Sequence, residues 1–362
     1  MKEQQTISSR QMAILLFAFM TGSSIINVPA PLIGIAQNGS WISLLISMVF
    51  GMLILTCVLY LYRKHPNMTF VDYSRKTVGN TLTVLLAIPF IITLFLIISY
   101  IVLDVGGFMV STMMRETPLY MFHSLIILTS AMTIRAGLEV MTRIFVIFIC
   151  FLLGFVGIIL LLSIPNYHPE FVLPILPDGI MPVIHGGYFT FGFPYSEIII
   201  FTMVFPFMKE EKKTKMARYM YTAIILNVIV LIIATICTIM AFGPIAGEMK
   251  YSLYSLSRLI NIGEFLTRIE SVIGISLIAG SYMKATIALF VLNLMITKLF
   301  KLKDNKILIF PISIICFLLT LVMFDNESEL VEKVLVVLPL THLTYTVTPV
   351  LLVTIATMFK RK

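Results

Sequence analysis

The sequence predicts an all-α membrane protein with ten transmembrane helices and both termini in the cytoplasm. Three observations predict it: a composition suited to lipid, ten apolar runs of spanning length, and a sharp sorting of basic residues between alternate connections. Of 362 residues, 59% are hydrophobic and 12% charged, and the mean hydropathy is +1.01. Soluble domains carry roughly 25% charged residues, so this chain has too little polar surface to coat itself against water. Ten helices of roughly 20 residues use about 200 positions, which leaves room for ends and loops.

Apolar runs between charged connections place the spans at 11–35, 39–62, 80–112, 118–136, 139–164, 185–208, 214–243, 269–297, 307–324 and 334–358. The first has no small-residue cleavage site and other spans follow it, so it is expected to be a true span and not a signal peptide. Of the 26 Lys and Arg, 20 fall on one side. They are Lys2, Arg10, the pairs at 63–64, 75–76 and Arg135 with Arg143, and the clusters from Lys209 to Arg218, Lys298 to Lys306 and Lys360 to Lys362. Arg115, Lys250, Arg258, Arg268 and Lys333 fall on the other side, and Lys284 lies inside a span. Positive excess marks the cytoplasmic side. Adding or dropping one span would scramble this sorting, so it supports the count as well as the orientation.

Several function classes drop out. Cys57, Cys150, Cys237 and Cys316 each lie in an apolar run without metal-ligand spacing and read as small buried hydrophobes. The net charge of +8 contains no basic repeat interleaved with aromatics, so no nucleic acid partner is expected. No phosphate loop, metal-ligand cluster or nucleophile elbow occurs. The chain is expected to be non-enzymatic, with no catalytic residue, no metal and no cofactor.

The spans divide five plus five, with 1–164 as a first repeat and 165–362 as a second within one transmembrane domain. An odd number per half inverts the second half, an arrangement that recurs in transporters. The leading helix of each half is interrupted at a matching place. Span one reads Phe19-Met20-Thr21-Gly22-Ser23-Ser24, with Pro29 and Pro31 beyond; span six reads Phe191-Gly192-Phe193-Pro194-Tyr195-Ser196. Gly frees the backbone and Pro removes a donor. Unwound backbone is tolerated in a membrane only where protein buries it or it lines a cavity. Gly and Pro also serve as packing positions in membrane helices, but a matched pair of breaks points to a central site. Amides at a helix restarted at Ser23 suit a carboxylate. Carbonyls released before Pro194 suit an ammonium. Together they would read the zwitterionic head of an amino acid, with Phe193 and Tyr195 around its side chain.

Charges inside spans cost about 2.5–3.5 kcal/mol each near the centre, so each is a functional candidate. Glu197 either caps the restarted helix or contacts a ligand or proton. Lys284 is expected to pair with Glu197 or Asp104; it is either a structural partner or a cation standing where related architectures hold sodium. Asp104, before Gly106-Gly107, is expected near an outer vestibule. His123 and His342 read as packing histidines, and the threonines of span ten as interhelical glue. The loop at 244–268 reads as a lid or a headgroup-lying segment, and the loop at 63–79 as its inner counterpart.

The chain resembles the B subunit of spore germinant receptors, a branch of the amino acid–polyamine–organocation superfamily with a LeuT-like fold. The stretches that carry the resemblance are Ile7 to Gln11 leading to Gly22 and Pro29, Trp41-Ile42-Ser43, Pro174 to Ile180, Glu197 with Phe205-Pro206-Phe207, and Gly263 to Glu270. Gly39-Ser40 and Thr267 depart from the residues the family often has there. The resemblance implies a sensor in the spore inner membrane that binds a small-molecule germinant, an amino acid or similar nutrient. It would work with an A subunit and a lipoprotein C subunit. It places the ligand at the two breaks with help from spans three and eight. The candidate ligand-binding set is therefore Thr21, Gly22, Ser23, Ser24, Tyr100, Phe191, Phe193, Tyr195, Glu197, Ser281 and Lys284. An independent proton-coupled amino acid transporter would use the same fold and pocket.

Overall fold

The computed structural model describes residues 6–209, 213–260, 269–323, 329 and 332–359. All ten expected spans are present as helical segments. Among the described residues eight helical runs are long and apolar enough to cross a membrane; span nine, Ile309–Val322, is shorter, and span six is interrupted. Span one runs as Ser9–Thr21, Ser24–Asn27 and Pro29–Ala36, and span two as Ser40–Lys64. Spans three, four and five are Asn80–Thr112, Leu119–Ala136 and Leu138–Leu162. Spans seven and eight are Lys213–Phe242 and Glu270–Leu299.

Local chemistry sets the boundaries. A reciprocal box between Ser8 and Gln11 opens span one and satisfies two donors that a helix start leaves free. Spans four and five, whose junction carries no charged loop, are separated by Gly137 alone at φ 107°, a conformation that L side chains resist. The basic segment 63–79 forms the amphipathic helix Phe70–Val78, closed at its start by Thr69 and Asp72. It buries Phe70, Val71 and Tyr73 and sends Arg75 to the carbonyls of Lys298 and Leu299, at 2.9 and 2.6 Å, at the end of span eight.

Spans one and eight form the centre: 20 of the 30 residues of span eight are buried, against 8 of the 25 in span five, and most of Ser9–Asn27 is buried as well. Outer spans turn large side chains such as Phe151 and Leu161 outward, as lipid contact requires. The central helices meet through small residues. A Cβ on Gly22 would lie 2.5 Å from the Gly280 carbonyl oxygen, and this close backbone approach is a common way to pack membrane helices. At the basic end Ile7 pairs with the chain after span six: its amide donates to Phe207 and its carbonyl accepts from Lys209, both at 2.9 Å.

One expectation is corrected and another is narrowed. Of the four cysteines only Cys316 is buried; Cys57 and Cys237 are half-buried and Cys150 is exposed, since an outer span presents one face to lipid. Of the two readings of the loop after span seven, the headgroup-lying one is set aside, since the loop packs inward toward the cavity as the lid reading expects. Its helix Ser252–Arg258 buries Leu253 and Leu256 against the bundle, and Phe108 packs edge-on against Tyr251 and Tyr254 at 4.8 and 5.4 Å. The remainder of that loop, 261–268, lies outside the described residues, and with it most of the Gly263 to Glu270 stretch.

Candidate ligand-binding site

The break in span one is slight. Gly22 and Ser23 keep right-handed helical angles, yet the helix stops at Thr21 and resumes at Ser24. The break in span six is deep. Met181–Thr190 passes into a wide turn, Phe191–Tyr195, in which Phe193 leaves the helix at φ −143° and ψ 109°, and a tighter helix resumes over Ser196–Thr202. Proline at 194 lacks the amide that would bridge this turn. Glu197 falls in the first turn of the resumed helix, where its charge complements the helix start.

The two breaks meet on the wall of a cavity of about 130 Å³, through Ser23 and Phe193. Span one presents Ser23, Asn27 and Pro31, one helical face at a spacing of four. Span three presents Ile97, Tyr100, Ile101 and Asp104 on a like spacing. Val334, Leu335 and Leu338 of span ten complete the apolar side, and Lys250 and Tyr251 approach from the outer loop. Asn27 donates a hydrogen bond to the Asp104 carboxylate.

Behind this wall lies a buried ion pair. The Lys284 ammonium is 2.5 Å from the Glu197 carboxylate, with side-chain exposures of 0% and 2%. The ammonium also sits 3.8 Å over the Phe193 ring and 5.4 Å over Phe19. In a water-poor interior such cation–ring contacts strengthen. Glu197 and Phe193 thus face the cavity on one side and Lys284 on the other. The protein's own ammonium occupies the group best suited to hold a ligand's amine.

The expected residues are distributed unevenly about this cavity. Ser23, Tyr100, Phe193 and Glu197 line it. Lys284 lies directly behind Glu197. Gly22 abuts Gly280; Thr21 accepts from Asn227 at 3.0 Å; Ser24 donates to the Met20 carbonyl. Phe191 meets Phe50 edge-on at 6.0 Å, and Tyr195 is buried against Gly51 of span two. Ser281 is buried beside Gly280 with its hydroxyl unpartnered. Nor is the Gly192 carbonyl free for an ammonium: it accepts from the Ser196 hydroxyl at 2.9 Å and faces His342 Nδ1 at 3.1 Å. His342 is thus a buried, hydrogen-bonded packing histidine as expected, and it packs at the break, whereas His123 is buried with neither ring nitrogen partnered.

Asn27 was missed, though helical spacing from Ser23 would have found it; Lys250 and Tyr251 belong to the loop read as a possible lid, and the apolar residues of span ten carry no local mark of the site. Among the described residues no three His, Cys, Asp or Glu side chains gather to hold a metal.

The profile of the family described as "Spore germination protein" matches residues 6–328. Spore germination protein KB of Bacillus subtilis (strain 168) is 26% identical over 364 aligned residues, covering 99% of this chain and 96% of its own. Spore germination protein YndE of the same organism is 28% identical over 67% of this chain and 65% of its own. Among solved structures the fold is similar to MHP1, a nucleobase–cation–symport-1 family transporter with bromovinylhydantoin bound. The TM-score is 0.70 at 11% identity, over 98% of this chain and 93% of that one. It is also similar to MhsT in complex with L-phenylalanine, with a TM-score of 0.71 at 15% identity, over 98% and 89%. These likenesses give a LeuT-like transporter fold. The germination profile spans most of the sequence, and on that ground the chain belongs to the spore germination protein family of membrane proteins.

Proposed function

We propose that this chain is the nutrient-sensing subunit of a spore germinant receptor and holds a small germinant, an amino acid, in the cavity between spans one, three, six and ten. The observation that carries the reading is the meeting of both helix breaks, at Ser23 and Phe193, on one cavity wall beside a buried ion pair. Irregular membrane backbone collects where a transporter fold binds its substrate. The cavity volume suits a small amino acid better than a drug-sized ligand. Ser23, Asn27 and Tyr100 supply hydrogen bonds, Asp104 supplies negative charge, and Ile97, Ile101 and Leu338 supply an apolar wall. In this reading the repeats are 1–164 and 165–362, each contributing one broken helix. The protein sits in the spore inner membrane with both termini cytoplasmic and works with an A subunit and a lipoprotein C subunit.

The test is germination of a strain lacking this chain, complemented with wild type or with Tyr100→Ala on the cavity wall, against single amino acids and sugars. Loss of the response to one or a few nutrients, with a weakened dose–response in the variant at normal protein level, is expected. Unchanged responses in the deletion strain, or an unchanged dose–response in the variant at normal protein level, would sink the reading.

The likeness to MhsT with a bound amino acid favours a second reading, an independent proton-coupled amino acid transporter. Uptake of labelled amino acid by vesicles holding this chain alone would decide for it.

A further inference from the structure

A second cavity, of about 920 Å³, lies at the basic end of the bundle. It is bounded by the helix Phe70–Val78, the Gly137 junction of spans four and five, and the end of span eight with its following loop. Its wall carries Arg75, Lys298, Lys301, Lys303 and Lys306 against two carboxylates, Asp72 and Asp304. The balance is a net of three positive charges. Sorting of basic residues to one side of a membrane accounts for cations at this end, but not for their convergence around a hollow.

Three of the five cations are fixed in place. Arg75 bonds the last carbonyls of span eight. Lys298 pairs with Asp72 at 3.1 Å, and Lys306 donates to the Arg135 carbonyl at 2.8 Å. Lys301 and Lys303 stay exposed on the loop beside them. Asn293, buried in the same wall, donates its amide to the Asn305 carbonyl at 2.6 Å and keeps an unpartnered oxygen.

We propose that this cavity binds a phosphate-bearing anion. Recessed charges of one sign focus their field and concentrate counter-ions. Basic pockets between membrane helices suit phosphate headgroups. The free Asn293 oxygen accepts from a hydroxyl, which both hydrogen phosphate and a glycerol headgroup carry. A free phosphate species and an anionic lipid share this chemistry.

The experiment measures the Tm of the purified full chain and of Lys301→Gln/Lys303→Gln. Both changed residues are exposed, so the variant is expected to fold; its Tm without ligand checks this. In detergent at constant ionic strength the probe is inorganic pyrophosphate. In nanodiscs the comparison is phosphatidylcholine with and without phosphatidylglycerol. A saturable Tm rise with pyrophosphate, its midpoint shifted roughly thirtyfold in the variant, supports the proposal with a free phosphate as ligand. A rise only with phosphatidylglycerol, lost in the variant, supports it with a lipid headgroup. Arg115→Gln, in the turn between spans three and four, should leave either response intact. No rise with either probe, or equal rises in wild type and the double variant, overturns it.

Discussion

Gly22 of span one and Gly280 of span eight meet backbone to backbone: a Cβ on Gly280 would run into the Gly22 carbonyl, and one on Gly22 into the Gly280 carbonyl. Neither obstacle is a flexible side chain, so the helices themselves must separate. Gly22→Ala and Gly280→Ala are each expected to cost about 1–3 kcal/mol. Once one methyl has parted the helices, the second should cost less, so the double variant should be less than additive. Tm values of the four purified proteins check this; additive losses would place the glycines in separate environments.

Lys284 and Glu197 should be separable by pairwise replacement. Removing one partner of a buried pair leaves the other uncompensated and costs about 3–5 kcal/mol. Lys284→Met alone and Glu197→Leu alone are therefore expected to fold poorly, while the double replacement recovers much of the lost stability. Its germinant response should not recover, because Glu197 faces the cavity. Denaturation and germination assays on the same set check both halves.

His342 should hold the span-six break closed. It faces the Ser196 hydroxyl at 2.7 Å and the Gly192 carbonyl at 3.1 Å. His342→Leu leaves buried polar groups short of a partner, at a cost of about 1–3 kcal/mol. Ser196→Ala should cost less in that background than alone, since the two share one network. A double-mutant cycle in Tm measures the coupling.

Acid should loosen the helix Phe70–Val78. His65 stacks on Tyr73 with ring centres 5.6 Å apart. Burial, with Lys76 and Lys64 nearby, holds its pKa below the usual histidine value. The unfolded chain therefore takes up a proton first as pH falls, and stability present above about pH 6.5 is lost below it. Tm should drop on acidification through this range in wild type and drop less in His65→Gln.

Much of the fold was legible because membrane helices announce themselves by length and by the sorting of lysine and arginine. The ten spans and the Phe191–Pro194 break follow from apolar runs and from proline. The cavity was less legible. Ser23, Tyr100, Phe193 and Glu197 line it, but Tyr195, one residue past Pro194, turns into span two because the distorted turn rotates successive side chains onto different faces. The apolar wall from span ten consists of ordinary leucine and valine, which carry no local mark of a site. Lys250 and Tyr251 reach the cavity only because their loop folds inward, and that depends on tertiary packing. His342 acquires its role from a neighbour 150 residues away.

The pairing of Ile7 with the chain after span six has a mechanical consequence. Two backbone hydrogen bonds join the start of span one to the end of span six at the basic end. Deeper in, Phe19 packs edge-on against Phe201 at 5.7 Å. The segments Ser9–Thr21 and Ser196–Phe207 are thus tied at the end and midway, and each stops at a break on the cavity. They form a paired lever hinged at the cavity: a displacement of one helix is carried to the other, and the two must swing as one.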